Sequence, residues 1–412
     1  MKKILSIIAV LLCATACIYP YQPDLGETPE GIIVVDGNLM IGETSTVQIG
    51  TMYPLWPDKN KTDVEESGNV IYYAGNPYYY GGLVAERVWA EDDAGDVYEG
   101  ELTSGGWESG WYYMMTTYTL HTENATANRQ YRVCVQADGR LYTSDWIKPL
   151  AAPVIKKITF KSDKANVMVN VSLDSGPDAT GYVLFTFDET WRFHADWYPD
   201  FDYDPYSNSV SQRYFAWDHY WCWKSVNSQV QVPVDYTGMS TSSLKDYPVH
   251  TFSRYDNRNH QRYSILVKAR TIDKETYKFL SHLEESTESG DNLFTPNPGE
   301  VAGNLRCETD PDRMVLGYVT VAFTSSMRAY NDSRFLLSRP NSPYDLAYPK
   351  QYPDRPGVPA WPDYYKMGYM PLIENNLNDE DDTKGPYGWG WAACYDCVAA
   401  GGTLTAPDFW EY

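Results

Sequence analysis

Tyr131-Arg-Val-Cys-Val-Gln-Ala137, Asp138-Gly139, Arg140-Leu-Tyr-Thr-Ser144 is the stretch on which the reading of the fold turns. Two runs of strand-favouring residues flank Asp-Gly, the pair that tolerates the positive backbone angles of a type I′ turn. The stretch therefore predicts a β-hairpin. Working towards the N-terminus, Leu83 to Ala90 reads as a strand closed by the acidic turn Asp92-Asp93-Ala94-Gly95-Asp96, and Thr44 to Ile49 alternates. Gly31-Ile-Ile-Val-Val35 is a β-branched run expected to break at Asp36-Gly37-Asn38. Short strands with frequent turn signals predict a mainly β chain. Residues 31–150 are expected to form an immunoglobulin- or fibronectin-like sandwich, with Pro149 and Pro153 bracketing its end.

Working towards the C-terminus, a second β-rich domain is expected over residues 151–335. Its strands are Val154 to Phe160, Val167 to Leu173, Gly181 to Phe187, Ser264 to Ala269, Val301 to Cys307 and Met314 to Phe323. One short helix is predicted near 273–287: Tyr277, Leu280 and Glu284 share a stripe, and Asp273 is the N-cap. Residues 336–412, rich in Pro, Gly and Tyr, are expected to be an irregular segment packed on the second domain and stapled by cysteines.

The first 30 residues read as an export address. A basic Met1-Lys2-Lys3, the apolar run Ile4 to Leu12 and the small residues Ala14-Thr15-Ala16 precede Cys17. This pattern predicts a lipoprotein signal peptide over 1–16, acylation of Cys17 and a Pro-rich acidic tether over 17–30. Cys13 is the weaker attachment site, because bulky Leu11 and Leu12 precede it. The apolar run falls short of the roughly 20 residues a membrane-spanning helix needs.

A formal net charge of −22 argues against nucleic acid as a partner, since phosphates are held by Lys and Arg. It also argues against electrostatic adhesion to an anionic lipid surface. Aromatic residues, led by 36 Tyr and 14 Trp, either fill sandwich cores or build exposed platforms. The candidates for ligand or partner contact are Trp191, Trp197, Trp217, Tyr220 and Trp221, in a long stretch interleaved with Asp and Asn. Core or inter-domain packing is the competing reading.

Catalytic signatures do not emerge. The six histidines are scattered, and neither His-Glu-x-x-His nor Gly-x-Ser-x-Gly occurs. Asp200-Phe-Asp202-Tyr-Asp204 alternates carboxylates, but Pro205 and Ser211 stand where a calcium loop needs Gly and Glu, so a solvated loop is expected. No catalytic residue, metal or cofactor is assigned. Carboxylate pairs of a glycosidase need not be close in sequence, so a surface hydrolase of glycan or peptide stays as an alternative, as does a structural or adhesive β-module.

Several stretches together resemble a known family. They are Gly31-Ile-Ile-Val-Val-Asp-Gly37, Asp138-Gly139-Arg140-Leu-Tyr142, Thr190-Trp191, Cys222-Trp223, Asn297-Pro298, Gly303-Asn304-Leu-Arg-Cys307 and Val315-Leu-Gly-Tyr318. The most specific is the ending, Cys394-Tyr-Asp-Cys397-Val-Ala-Ala-Gly401-Gly402-Thr403 with Pro407-Asp-Phe-Trp410. The chain resembles the Bacteroidota lipoproteins catalogued as domain of unknown function 4249, differing at Val398, where that family usually carries a basic residue. The resemblance implies an outer-membrane lipoprotein facing the cell exterior. It also implies a partner, a SusC-like TonB-dependent receptor for which the protein is a non-enzymatic accessory or ligand-capture subunit, the ligand being a glycan or peptide. It brings no catalytic residues. Cys222, Cys307, Cys394 and Cys397 are the family-like cysteine set; two disulfides are expected, with three connectivities open. A zinc site and a redox Cys394-x-x-Cys397 pair are the rivals, the first disfavoured by an oxidising compartment and the second by the lack of a βαβ context. Cys134, within a strand, is expected to be a small buried apolar residue.

Overall fold

The computed structural model describes residues 32–52, 80–81, 83–105, 107–108, 111–112, 115–227, 230–239, 243–259, 261–288, 303–332, 355–374 and 385–411. The expected signal peptide, Cys17, the tether and Asn297-Pro298 lie outside these residues.

The strands run β1 Ile32–Met40, β2 Thr44–Met52, β3 Tyr80–Gly81, β4 Arg87–Asp92, β5 Val97–Ser104, β6 Trp107–Glu108, β7 Trp111–Tyr112, β8 Met115–His121, β9 Tyr131–Ala137 and β10 Arg140–Ser144. There follow β11 Val154–Ser162, β12 Asn166–Asp174, β13 Tyr182–His194, β14 Phe201–Asp204, β15 Ser209–Gln212, β16 Trp221–Asn227, β17 Val232–Asp235, β18 Ser243–Ser253 and β19 Arg262–Thr271. Helix α1, Lys274–Glu288, leads to β20 Leu305–Cys307, β21 Val315–Ala322 and β22 Ser325–Asp332. The last elements are α2 Trp361–Lys366, β23 Tyr369–Glu374, β24 Tyr387–Trp391 and α3 Ala392–Tyr395. The chain is mainly β, as its sequence predicts.

The hairpin that anchored the reading forms as expected: β9 and β10 pair antiparallel around Asp138 and Gly139, with φ of 50° and 67°. The acidic turn also forms, Asp92 Oδ1 accepting the backbone N–H groups of Ala94 and Asp96 at 2.9 and 3.0 Å. These strands join a ten-stranded sheet in the order β20-β10-β9-β4-β5-β8-β2-β1-β21, with β3 beside β2. It folds over a core of Val35, Val47, Ile49, Leu120, Tyr131, Val133, Val135 and Val319. Tyr131 makes a tyrosine corner, its hydroxyl donating to Thr126 O at 2.9 Å and accepting Thr126 N–H at 2.6 Å, a device of immunoglobulin-like sandwiches.

Two expectations need correction here. Asp36-Gly37-Asn38 does not end the first strand; β1 runs on to Met40. The cause is a parallel partner about 280 residues away: β21 pairs with β1 from Ile33↔Val315 to Met40↔Ala322. Gly37 is the close-approach point, since a Cβ there would lie 2.8 Å from Val319 Cγ2. In consequence the second domain does not hold everything up to 335. Residues 305–322 return to the first sheet as β20 and β21, and Asn304 clamps this return by exchanging two 2.8 Å hydrogen bonds with the Val319 backbone.

Gly317 fixes the same junction. It has φ of +108°, and a Cβ would sit 1.9 Å from Val35 O on β1. Gly317→Ala combines a disfavoured backbone angle with a backbone clash, so it is expected to cost at least ~2 kcal/mol. A lowered midpoint in chemical denaturation checks this; an unchanged midpoint would show that β1 and β21 part easily.

The second unit pairs a three-stranded sheet, β11-β12-β18, with a five-stranded one, β16-β13-β19-β22 plus β17 on β13. Between them lie Val169, Val171, Phe185, Phe187, Ile265, Val267 and Ala269. Helix α1 starts where expected, with Asp273 Oδ1 accepting Thr276 N–H at 2.7 Å. Its Leu280 packs with Tyr182, Leu184 and Ile272 on the outer side of the five-stranded sheet.

The C-terminal segment is more regular than its composition suggests. It carries α2, the β23–β24 hairpin and α3, and a small aromatic core of Trp361, Trp389 and Tyr203 ties it to the β14–β15 hairpin. Beyond α3 it lies on the second unit: Tyr330 donates to Phe409 O, and the Arg328 guanidinium lies 3.5 Å from the Phe409 ring centroid.

Candidate functional site

A cavity of about 490 Å³ lies where the two sandwiches meet. Its floor is the outward side of the parallel pair. Residues alternate along a strand, so with Val35 and Val319 in the core, Val34, Asp36 and Asn38 point out beside Leu316, Tyr318 and Thr320. Its wall is α1, through Phe279, Leu280 and Leu283. Tyr318 holds wall to floor: its ring stacks on Phe279 at 4.6 Å, and its hydroxyl lies 3.1 Å from Thr276 Oγ1.

Arg270 closes one end. On β19 the residues Tyr263, Ile265, Val267 and Ala269 face the core, so Arg262, Lys268 and Arg270 face outward. The first two find carboxylates: Arg262 pairs with Asp332 at 3.2 Å and Lys268 with Asp188 at 2.9 Å. Arg270 differs. The first sandwich covers it to 3 % exposure, yet its Nη1 has no hydrogen-bond partner, and no carboxylate stands within ion-pair distance among the described residues. Burial pulls its pKa down to about 10, against the attraction of Asp36 and Glu43, so it stays protonated at neutral pH. Asp36 is open to the cavity but crowded by protein on its other sides. That desolvation raises its pKa, with Arg270 pulling the other way. The two opposite charges feel each other without making a contact ion pair.

The aromatic candidates lie elsewhere. Trp191 is 4 % exposed inside the second core, so its assignment as a contact residue is corrected: its ring is packing. Trp197 donates its backbone N–H to Cys394 O at 2.8 Å, and Trp217 donates its indole N–H to Tyr395 O at 2.7 Å. Tyr220 stacks on His194 at 5.0 Å. Trp221 meets the same ring edge-on, with the Arg192 guanidinium 5.0 Å from its centroid. These four half-buried groups hold the C-terminal segment and the strands beneath it. Two of the three alternating carboxylates are likewise committed: Asp202 pairs with Arg213, and Asp204 caps its turn through Tyr206 N–H and the Ser207 hydroxyl at 2.9 and 2.6 Å.

Of the four candidate cysteines, one pair is bonded, Cys222–Cys397, across 175 residues. Cys307 and Cys394 are free, which corrects the expected second bridge. Cys307 faces the first sandwich core from β20, and Cys394 lies within α3, so the fold holds them in different units. Cys134 is buried as expected, and desolvation pushes its thiol up to about 12.

Residues 18–328 match the family model described as domain of unknown function DUF4249. The chain belongs to this family. No curated protein matches it. Within the DUF4249 match, two of the stretches that carried the resemblance, around Asp36-Gly37 and Val315-Leu-Gly-Tyr318, become neighbours as β1 and β21 and floor the cavity. The ending, Cys394 to Trp410, falls beyond the matched residues. Sequence reasoning missed the cavity residues themselves. Asp36 was visible only as an acid interrupting a β-branched run, and Arg270 only as a charge at an outward position of an alternating strand.

Proposed function

We propose that this DUF4249 protein is a non-enzymatic, surface-tethered lipoprotein, anchored through Cys17 in the outer membrane and facing the cell exterior. In this reading it captures a ligand for a SusC-like TonB-dependent transporter. The observation that carries the capture role is the cavity itself: an apolar hollow in the size range of small-molecule sites, with a buried guanidinium at one end that has no ion pair among the described residues and an Nη1 without a hydrogen-bond partner. A binding role is favoured over hydrolysis because Asp36 is the single carboxylate on that cavity's wall among the described residues, whereas glycoside hydrolysis uses a pair. The long-range disulfide suits an oxidising compartment. Family membership supports the partner class.

The test is extraction of outer membranes in mild detergent with the tagged full chain, followed by identification of what co-purifies. A TonB-dependent barrel is expected, and Cys17→Ala is expected to move the protein from the membrane to the soluble fraction. Recovery of the protein without a barrel would overturn the partner, and unchanged fractionation of Cys17→Ala the anchor.

A further inference from the structure

We infer that the cavity between the β1–β21 pair and α1 takes a small zwitterion with an apolar body, of amino-acid or short-peptide size, its carboxylate on Arg270 and its ammonium on Asp36. This rests on the ligand-capture reading above and names the chemistry of that ligand.

The argument is one of unmet charge. A guanidinium taken out of water without a partner is costly, and a fold ordinarily pairs it or leaves it at the surface. The neighbouring outward cations of β19 are paired with Asp332 and Asp188. Arg270, 3 % exposed, keeps an Nη1 without a hydrogen-bond partner, and its side chain lines this cavity and the adjoining hollow beside Thr271 and Thr276. Asp36, on the same wall, makes no ion pair among the described residues either, although it stands close enough to Arg270 for each to shift the other. A plain anion would satisfy Arg270 but meet Asp36. A plain cation would do the reverse. A ligand carrying both signs satisfies both, and its apolar body then meets Val34, Leu316, Phe279 and Leu283. Arg suits a carboxylate, because its planar fork donates two parallel hydrogen bonds. A volume of about 490 Å³ leaves room for more than one apolar side chain.

The experiment is calorimetric titration of the full-length protein in lipid nanodiscs with four probes: leucyl-leucine, its C-terminal amide, its N-acetyl form, and octanoate. Leucyl-leucine is expected to bind, and amidation or acetylation each to weaken binding about tenfold or more, the scale of one charge-assisted hydrogen bond. The losses should be crossed. Arg270→Met is expected to weaken leucyl-leucine but leave the amide as it binds the unmodified protein; Asp36→Asn is expected to do the same with the acetyl form. If a variant fails to fold, the two blocked peptides on the unmodified protein still decide the question. No binding of any probe up to millimolar concentration would overturn the inference. So would octanoate binding more tightly than leucyl-leucine and gaining from Asp36→Asn, which would make the cavity an anion site. Failure here with a barrel recovered in the pull-down sinks the zwitterion and leaves the transporter partnership standing; binding without a barrel does the reverse.

Discussion

Glu189→Ala is expected to lower folding stability by about 3–5 kcal/mol, the scale of removing one partner from a buried charge cluster. Glu189 lies on the inward row of β13 between Phe187 and Trp191, with its side chain 4 % exposed. Three donors converge on its Oε1: the Tyr263 hydroxyl at 2.8 Å, Arg258 Nε at 2.9 Å and His250 Nε2 at 3.1 Å. They come from three elements: β19, the turn before it, and β18 of the facing sheet. Alanine leaves Tyr263 without its acceptor in the core and Arg258 with Asp256 alone. Burial by itself would raise the Glu189 pKa. The His250 and Arg258 contacts and the Tyr263 hydrogen bond outweigh it and hold the carboxyl at about 2, against 4.5 in the unfolded chain. Between those values the unfolded state binds more protons. The contribution is therefore complete above 4.5 and is lost as pH falls through about 2. The difference corresponds to ~3 kcal/mol at neutral pH. Denaturant titrations at pH 7 and pH 3, followed on tryptophan fluorescence, should show the unmodified protein losing a share of stability that Glu189→Gln never had. Parallel losses in the two proteins would show that the ionised carboxyl does not hold the sheets together.

That cluster also shows how far the sequence could be read. The β9–β10 hairpin was legible because its signal is local: Asp138 and Gly139 carry the positive φ values, and the strands flank them directly. The α1 start was legible for the same reason, through Asp273. Glu189 was not, since its partners at 250, 258 and 263 meet it only when two sheets close. Asp36-Gly37 was misread as a break because the parallel neighbour that lets the strand continue is encoded at 315–322. The aromatic stretch was seen as dense; Trp191 packs in the second core, Trp197, Trp217, Tyr220 and Trp221 make packing contacts from half-buried positions, and Tyr206, Tyr214 and Phe215 stay exposed. The cavity was the least legible feature. It is assembled from residues near 34–38, 270–283 and 314–320, and each piece is ordinary alone: a strand, the end of a strand with a helix, another strand. Only their juxtaposition leaves Arg270 Nη1 without a hydrogen-bond partner and Arg270 without an ion pair among the described residues.

Removing the Cys222–Cys397 bridge is expected to have the other large effect, and to have it unevenly. In the chain-entropy model a loop of this length is worth up to about 5 kcal/mol. The region it joins is also held by non-covalent contacts. Cys397 donates its N–H to His219 O at 2.9 Å, His219 Nδ1 lies 2.9 Å from Asp396 Oδ2, and Trp223 and Thr403 exchange two backbone hydrogen bonds of 2.8 Å. These contacts lie mostly at the edge of the second unit, where β16 ends its sheet. The Cys222→Ala, Cys397→Ala double variant should therefore keep the cores of both sandwiches while the segment from α3 to Glu411 opens more readily. Limited proteolysis is expected to cut within residues 392–411 in the variant at a protease level that leaves the unmodified protein whole. Far-ultraviolet circular dichroism should stay close to that of the unmodified protein. Cys394→Ser supplies the contrast: its thiol is free and half-buried, so the same assay should register little change. The pairing itself is checked by peptide mapping without reductant, which should recover one cross-linked peptide joining 222 to 397, with 134, 307 and 394 alkylated after unfolding. A Cys394–Cys397 link in that map would sink this account. It would mean that packing around His219 and Trp223, with no covalent help, holds the tail in place.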